Sequence, residues 1–147
     1  MEINWQANLW RKEFRFMRGK LIVGLLKKNA WSTGGYGEFN GSLLRFKQKK
    51  WWKSSTIIMD IEGKSEIGSI TYNLLKRSAI IIINDQTYNW KFRNWLHNSW
   101  EVVDADGSAV FTANNWGKKG TIAIDNMNPA GVLAAMYARE KLLTYIS

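Results

Sequence analysis

Four lysines surround two tryptophans in the segment Lys47 to Lys53, KQKKWWK, the most suggestive cluster in the chain. Ammonium groups attract phosphate, and indole rings favour the boundary between water and hydrocarbon, so Lys47, Lys49, Lys50, Trp51, Trp52 and Lys53 form a candidate contact set for an anionic membrane surface. Each such charge near an anionic leaflet contributes about 1 kcal/mol. Single-stranded nucleic acid could use the same residues, with phosphates on Lys and bases stacked on Trp. The plainer reading is a solvated hairpin loop whose tryptophans turn into the core. Further pairs at Lys27-Lys28, Lys76-Arg77 and Lys118-Lys119 fall near predicted turns. They form one patch only if those turns share one end of the fold.

Residues for catalysis are sparse. His97 is the only histidine, which excludes a two-histidine metal site, and in NWLHNSW a loop or packing role suits it better. Cysteine is absent, so disulfides, thiolate metal sites and cysteine nucleophiles are excluded. Asp60 and Glu62 flank Ile61 and would share one strand face, the arrangement of a carboxylate pair, yet alternating charge on a solvent face reads identically. Asp85, Asp104, Asp106 and Asp125 have turn-forming roles, and the spacing around Asp104 to Gly107 stops short of a calcium loop. GGYGEFNG lacks the Lys-Ser/Thr ending of a phosphate loop and reads as a flexible connection. The expectation is a non-enzymatic chain with no metal and no cofactor.

The elements that would position the basic segment are mostly strands. The chain has 147 residues and is 46% apolar, enough for a single domain over 1–147 with one core. Its net charge of +9 favours encounter with anionic partners without choosing among them. The start MEINWQANLWRKEF lacks the features of a secretory signal, and the apolar stretch Ala130 to Ile146 is broken by Arg139, Glu140 and Lys141, so no membrane span is expected. Together with the absence of Cys, this points to the cytoplasm.

From Phe14 to Ile124 short β-branched and aromatic runs alternate with Gly, Asn, Asp and Lys. EFRFM pairs with KLIVGLL through Arg18-Gly19, SLLRF with STIIMDI across the basic segment, and EIGSITY with SAIIII across Asn73 to Arg77. SAIIIIN and TYNWKF form a hairpin through Asn84, Asp85 and Gln86; SWEVVD and SAVFTA form another through Ala105 to Gly107; KGTIAID is a late strand. Ala79 to Ile83 is apolar on both faces, which predicts cover on both sides and leaves room for a homodimer. Trp90, Trp95, Trp100 and Trp116 lie in or beside hairpins and read as core, whereas an exposed cluster of them would mark a binding surface.

One helix is expected. Asn128 caps it, Pro129 suits its first turn, and Ala130 to Ala138 leaves no polar stripe, so it is enclosed on all sides. The fold class is therefore mostly β (α+β), an antiparallel β-barrel of about 10–12 strands around a hydrophobic C-terminal helix.

With IGSITY, the AIIIINDQTYNWKF and WEVVDADGSAVF hairpins and the closing NPAGVLAAMYAREKLL helix in this order, the chain from Trp10 to Ile146 resembles the tubby C-terminal-like superfamily, which includes LURP-one-related proteins and phospholipid scramblases. The resemblance implies a helix-filled barrel and a non-enzymatic module, with anionic lipid bound by some relatives. No binding residues carry over from it. The expected partner is an anionic membrane surface or a protein, ahead of single-stranded nucleic acid, while a small-ligand carrier would require an empty lumen.

Overall fold

The computed structural model describes residues 1–10, 12–29, 34–48 and 55–146. Twelve strands follow one another around a closed antiparallel barrel, each paired with its neighbours in sequence, and β1 closes the ring on β12. They are β1 (Glu2–Ala7), β2 (Glu13–Arg18), β3 (Leu21–Lys28), β4 (Gly34–Phe39), β5 (Ser42–Gln48) and β6 (Ser55–Asp60). The ring continues with β7 (Glu66–Asn73), β8 (Ser78–Ile83), β9 (Gln86–Phe92), β10 (Ser99–Asp104), β11 (Ala109–Trp116) and β12 (Lys119–Ile124). The chain ends in α1 (Pro129–Ile146).

Period-two alternation decides what faces inward. In β7, Ile70 and Tyr72 enter the lumen while Ser69 and Thr71 face out, and in β12 Ile122 and Ile124 enter between exposed Thr121 and Ala123. Apolar side chains thus point in and mostly polar ones out, the reverse of a membrane-spanning barrel. No helix among the described residues is long and apolar enough to cross a membrane.

The lumen belongs to α1. Asn128 Oδ1 accepts the Gly131 N–H at 2.9 Å, capping the helix, and Val132 through Ala138 are fully buried. Tyr137 stacks on Phe46 with ring centroids 4.3 Å apart, fixing the helix against β5. The enclosed helix is the one the apolar sequence required.

Two strands differ from the sequence expectation. GGYGEF was read as a flexible loop, but it is β4, with Gly35 and Gly37 on the inner face. A Cβ on Gly37 would stand 2.9 Å from Leu133 Cδ2 and 3.0 Å from the Leu25 carbonyl oxygen, so the wall is thin there because the helix comes close. Asn40 and Gly41, both at positive φ, then turn the chain tightly into β5, with Phe39 paired to Ser42. The unexpected β1 runs between β12 and β2 and buries Ile3 and Trp5.

The β8–β9 connection is also tighter than the three residues expected. Asn84 and Asp85 sit at φ 50° and 66°, the two positive values of a type I′ turn, and Gln86 already pairs with Ile83. On β8, Ala79, Ile81 and Ile83 are core, but Ile80 and Ile82 remain 45% and 42% exposed. The expected second cover is not supplied by the described residues. A barrel wall has one interior, so these outward side chains stay on the surface.

Candidate functional site: the basic end of the barrel

Because every strand is antiparallel to the next, connections alternate between the two ends of the barrel. One end receives the β1–β2, β3–β4, β5–β6, β7–β8, β9–β10 and β11–β12 connections and the C-terminus of α1. Every one of these connections carries or adjoins a described cation. Lys12 lies in the first; Lys27 and Lys28 end β3; Lys47 lies one residue from the end of β5. Lys76 and Arg77 occupy the β7–β8 turn, Arg93 leaves β9, and Lys118 and Lys119 close the ring. Glu13 is the sole carboxylate at the strand ends and connections of this end among the described residues.

The opposite end is acidic. Asp60, Glu62 and Glu66 surround the β6–β7 turn, Asp85 occupies the β8–β9 turn, Asp104 and Asp106 hold the β10–β11 turn, and Asp125 precedes the helix. Arg18, Lys20 and Lys64 lie in its turns and strand ends, the Arg45 guanidinium reaches the β6–β7 turn beside Gly63, and the Met1 ammonium donates to the Ile124 carbonyl. The pairs Lys27-Lys28, Lys76-Arg77 and Lys118-Lys119 therefore share one end, the condition under which they make a patch.

Of the predicted contact residues, Lys47 is exposed on β5 beside this end. Lys49, Lys50, Trp51, Trp52 and Lys53 lie outside the described residues, whereas Gln48 and Ser55, which flank them, both stand at the basic end.

Large apolar side chains project from the same end. Trp10 is 76% exposed, Leu75 97% and Trp95 83%, each beside a second exposed leucine: Leu9, Leu74 and Leu96. Trp95 was expected in the core and is not there; Trp90 and Trp100 are, stacked with centroids 5.1 Å apart. The side chain of Trp116 is not among those described. Sequence reasoning also missed Trp10 as a surface residue. Its signal was the adjacency of Leu9 and Trp10 to two cations, Arg11 and Lys12, between Asn8 and the run EFRFM.

Polar side chains fix these tips. Asn8 Oδ1 accepts the N–H groups of Lys12 at 3.0 Å and Glu13 at 3.3 Å, and Asn73 Oδ1 accepts that of Lys76 at 3.1 Å. In the β9–β10 connection Asn94 Nδ2 donates to Asn98 Oδ1, and the Arg93 N–H donates to the Ser99 carbonyl at 2.8 Å. The tips are thus held out by their own backbone geometry, not pulled in by packing. An open groove of about 690 Å³ runs from Leu74 and Leu75 down the outer wall past Lys91 to Ile80 and Asn89.

His97 takes the loop role expected of it. It sits at φ 59°, its ring 4.5 Å from that of Phe92, and Nε2 lies 3.0 Å from Arg77 Nη1. Burial, and then the Arg77 charge, lower its pKa from the ordinary value.

Charged residues of α1 pass below this end inside the barrel. Arg139, Glu140 and Lys141 are 3%, 3% and 4% exposed. Arg139 pairs with Glu140 and places its guanidinium 4.7 Å from the centroid of Trp5. Burial, followed by the charge of Lys28, lowers the Lys141 amine to about 8.

The remaining candidates have local duties. Asp60 ends β6 and accepts the N–H groups of Lys64 at 2.7 Å and Ser65 at 3.1 Å; the Ser65 bond is the first cause of its lowered pKa. Glu62 lies in the following turn and pairs with Lys64 at 3.2 Å, so the two carboxylates do not share a strand face as expected. The strand ends at Asp60, two residues short of Glu62. Asp104 Oδ1 accepts the N–H groups of Asp106 and Ser108, each at 3.0 Å, a turn-holding role. No group of three or more potential metal ligands occurs among the described residues.

Comparison with known proteins gives little beyond this geometry. No family model and no curated protein matches the chain. One solved structure, that of a protein from Arabidopsis thaliana, is similar at 11% identity and a TM-score of 0.45, covering 97% of this chain and 91% of that one.

Proposed function

We propose that this chain is a non-enzymatic binding module that attaches to anionic phospholipid surfaces through the basic end of its barrel. The observation that carries the reading is the sorting of charge between the two ends: cations at every connection of one, carboxylates gathered at the other. A surface of phosphates attracts the first and repels the second. The position of Lys47, with Gln48 and Ser55, supports including Lys49, Lys50, Trp51, Trp52 and Lys53 in the contact set.

The layout of a twelve-strand ring around a C-terminal helix supports a tubby-like assignment, and the chain's lack of cysteine accords with the cytoplasmic leaflet as the place of action. The empty lumen required of a small-ligand carrier is not found, since α1 fills it.

Flotation with vesicles of neutral lipid, and of neutral lipid plus phosphatidylserine or a phosphoinositide, tests the reading at low and near-physiological salt. Attachment to the anionic vesicles alone at both salts is expected, and replacing Lys47, Lys49, Lys50 and Lys53 by Ala weakens it. Absence of flotation with any vesicle would sink the membrane reading and leave a protein partner as the next candidate.

A further inference from the structure

Electrostatic attraction would need only the cations, yet the basic end also presents Trp10, Leu75 and Trp95, each with an adjoining leucine. Such side chains are costly to hold in water, and here three connections hold them there with side-chain hydrogen bonds from Asn8, Asn73 and Asn94. The β7–β8 and β9–β10 connections are neighbours on the ring and are joined through Arg77 and His97, while β1–β2 lies beyond the intervening β11–β12 turn. Cations separate the tips: Lys12 from the first, Lys118 and Lys119 between first and last, Lys76 and Arg77 beside Leu75.

Exposed apolar residues also occur at the acidic end, at Leu21 and Ile22, but the carboxylates there oppose an anionic surface. Charge complementarity therefore selects the basic end. A protein groove would also accept apolar tips, but cations at every connection of one end suit an extended plane of phosphates better than a local acidic patch.

We propose that the apolar tips carrying Trp10, Leu75 and Trp95 insert beneath the headgroups of an anionic bilayer, while the surrounding lysines and arginines contact the phosphates. This rests on the membrane reading above and adds an orientation: the barrel stands on its basic end, its strands rising away from the bilayer. Indoles and leucines then lie at the depth where aromatic and aliphatic side chains favour the interface, with ammonium groups one layer above.

The test uses the full chain, vesicles of phosphatidylcholine with phosphatidylserine, and a second set whose acyl chains carry bromine, a contact quencher of indole emission. Insertion predicts quenching of the wild-type protein by the brominated vesicles. Trp10→Ser with Trp95→Ser and Leu75→Ser weakens attachment by about tenfold or more, the scale of lost burial of several apolar side chains. Trp10→Leu with Trp95→Leu keeps attachment within about threefold, since burial is largely conserved, while the quenching falls by the share of these two indoles and keeps that of Trp51 and Trp52 in the contact set. Unchanged thermal unfolding of the variants establishes that the fold is retained, and these exposed side chains are expected to leave it unaltered.

Attachment of the wild type without quenching, together with equal attachment of the Ser variant, overturns insertion and leaves electrostatic docking standing. Failure of the wild type to attach at low salt overturns the membrane reading itself. Preferential capture of a single-stranded oligonucleotide, displacing the protein from vesicles at near-physiological salt, overturns both.

Discussion

Arg77 Nη1 stands 3.0 Å from His97 Nε2, tying the β7–β8 connection to the β9–β10 connection across the basic end. A guanidinium can only donate, so the imidazole accepts with Nε2 and must be neutral for the contact to persist. Burial and then the Arg77 charge disfavour the imidazolium. The folded state thus releases the His97 proton more readily than the unfolded chain does, and the stabilisation linked to it is present above the ordinary histidine value of about 6.5. It is lost as pH falls from there through the lowered folded value. In an NMR titration His97 should titrate below an unfolded reference, and Arg77→Gln should move it part of the way back up. A histidine titrating at or above the reference would refute the contact.

The cations of the basic end should not be equivalent to those elsewhere. Lys76→Ala, Lys118→Ala and Lys119→Ala are each expected to weaken attachment to phosphatidylserine vesicles about fivefold, from about 1 kcal/mol per charge. Lys20→Ala and Lys64→Ala, at the acidic end, should leave attachment unchanged. Equal losses at both ends would mean that net charge acts without orientation.

Lys141 is a buried amine lowered to about 8, first by burial and then by Lys28. Its unfolded value near 10.4 is higher, so the folded state binds fewer protons between these two values and loses stability as pH falls through that interval. Lys141→Met should therefore gain stability relative to the wild type between about pH 10.4 and pH 8, measured by urea unfolding across this range. A difference independent of pH would show that the amine does not carry the shift.

Packing between helix and wall offers a sharper structural test. Leu133 is fully buried and meets β4 where Gly37 leaves room for it. Leu133→Ala should cost about 2–5 kcal/mol through a cavity, and Gly37→Val about 1–3 kcal/mol or more through overpacking. Chemical denaturation reads both. If the helix lay outside the barrel, Leu133→Ala would be nearly neutral.

How much of this was legible in the sequence depends on what side chains can signal. Strands with alternating side chains, such as EIGSITY and SWEVVD, and the continuous β-branched run SAIIII were found with their pairing, and so was the enclosed helix with its Asn128 cap. β4 was missed because its message is written in absent side chains: Gly37 faces the helix, Gly35 lies tight against the Lys27 backbone of β3, and glycine gives no alternation to read. β1 offers Ile3 and Trp5 inward, with the small Ala7 partly buried after them, and its decisive partner is β12, whose Gly120 lies opposite Trp5 at the far end of the sequence.

These omissions hid the site as well. If GGYGEFNG were only a connection between β3 and β5, Lys27-Lys28 would end one strand at one end and KQKKWWK would follow the next at the other. Inserting one strand reverses the parity and brings the chain at both places to the same end. The basic pairs were visible from the outset; their convergence required a correct strand count. The tips of Trp10 and Trp95 were obscured by a different default, since an isolated tryptophan most often reads as core.

Sorting the cations to one mouth of the barrel and the carboxylates to the other makes each molecule a small bar with a positive head and a negative tail. Near a charged plane such a bar is turned before it is touched, so most encounters begin with the correct end forward. The same polarity lets the head of one barrel meet the tail of the next. That contact does not close on itself, and in solutions of low ionic strength it would string barrels into chains that added salt takes apart.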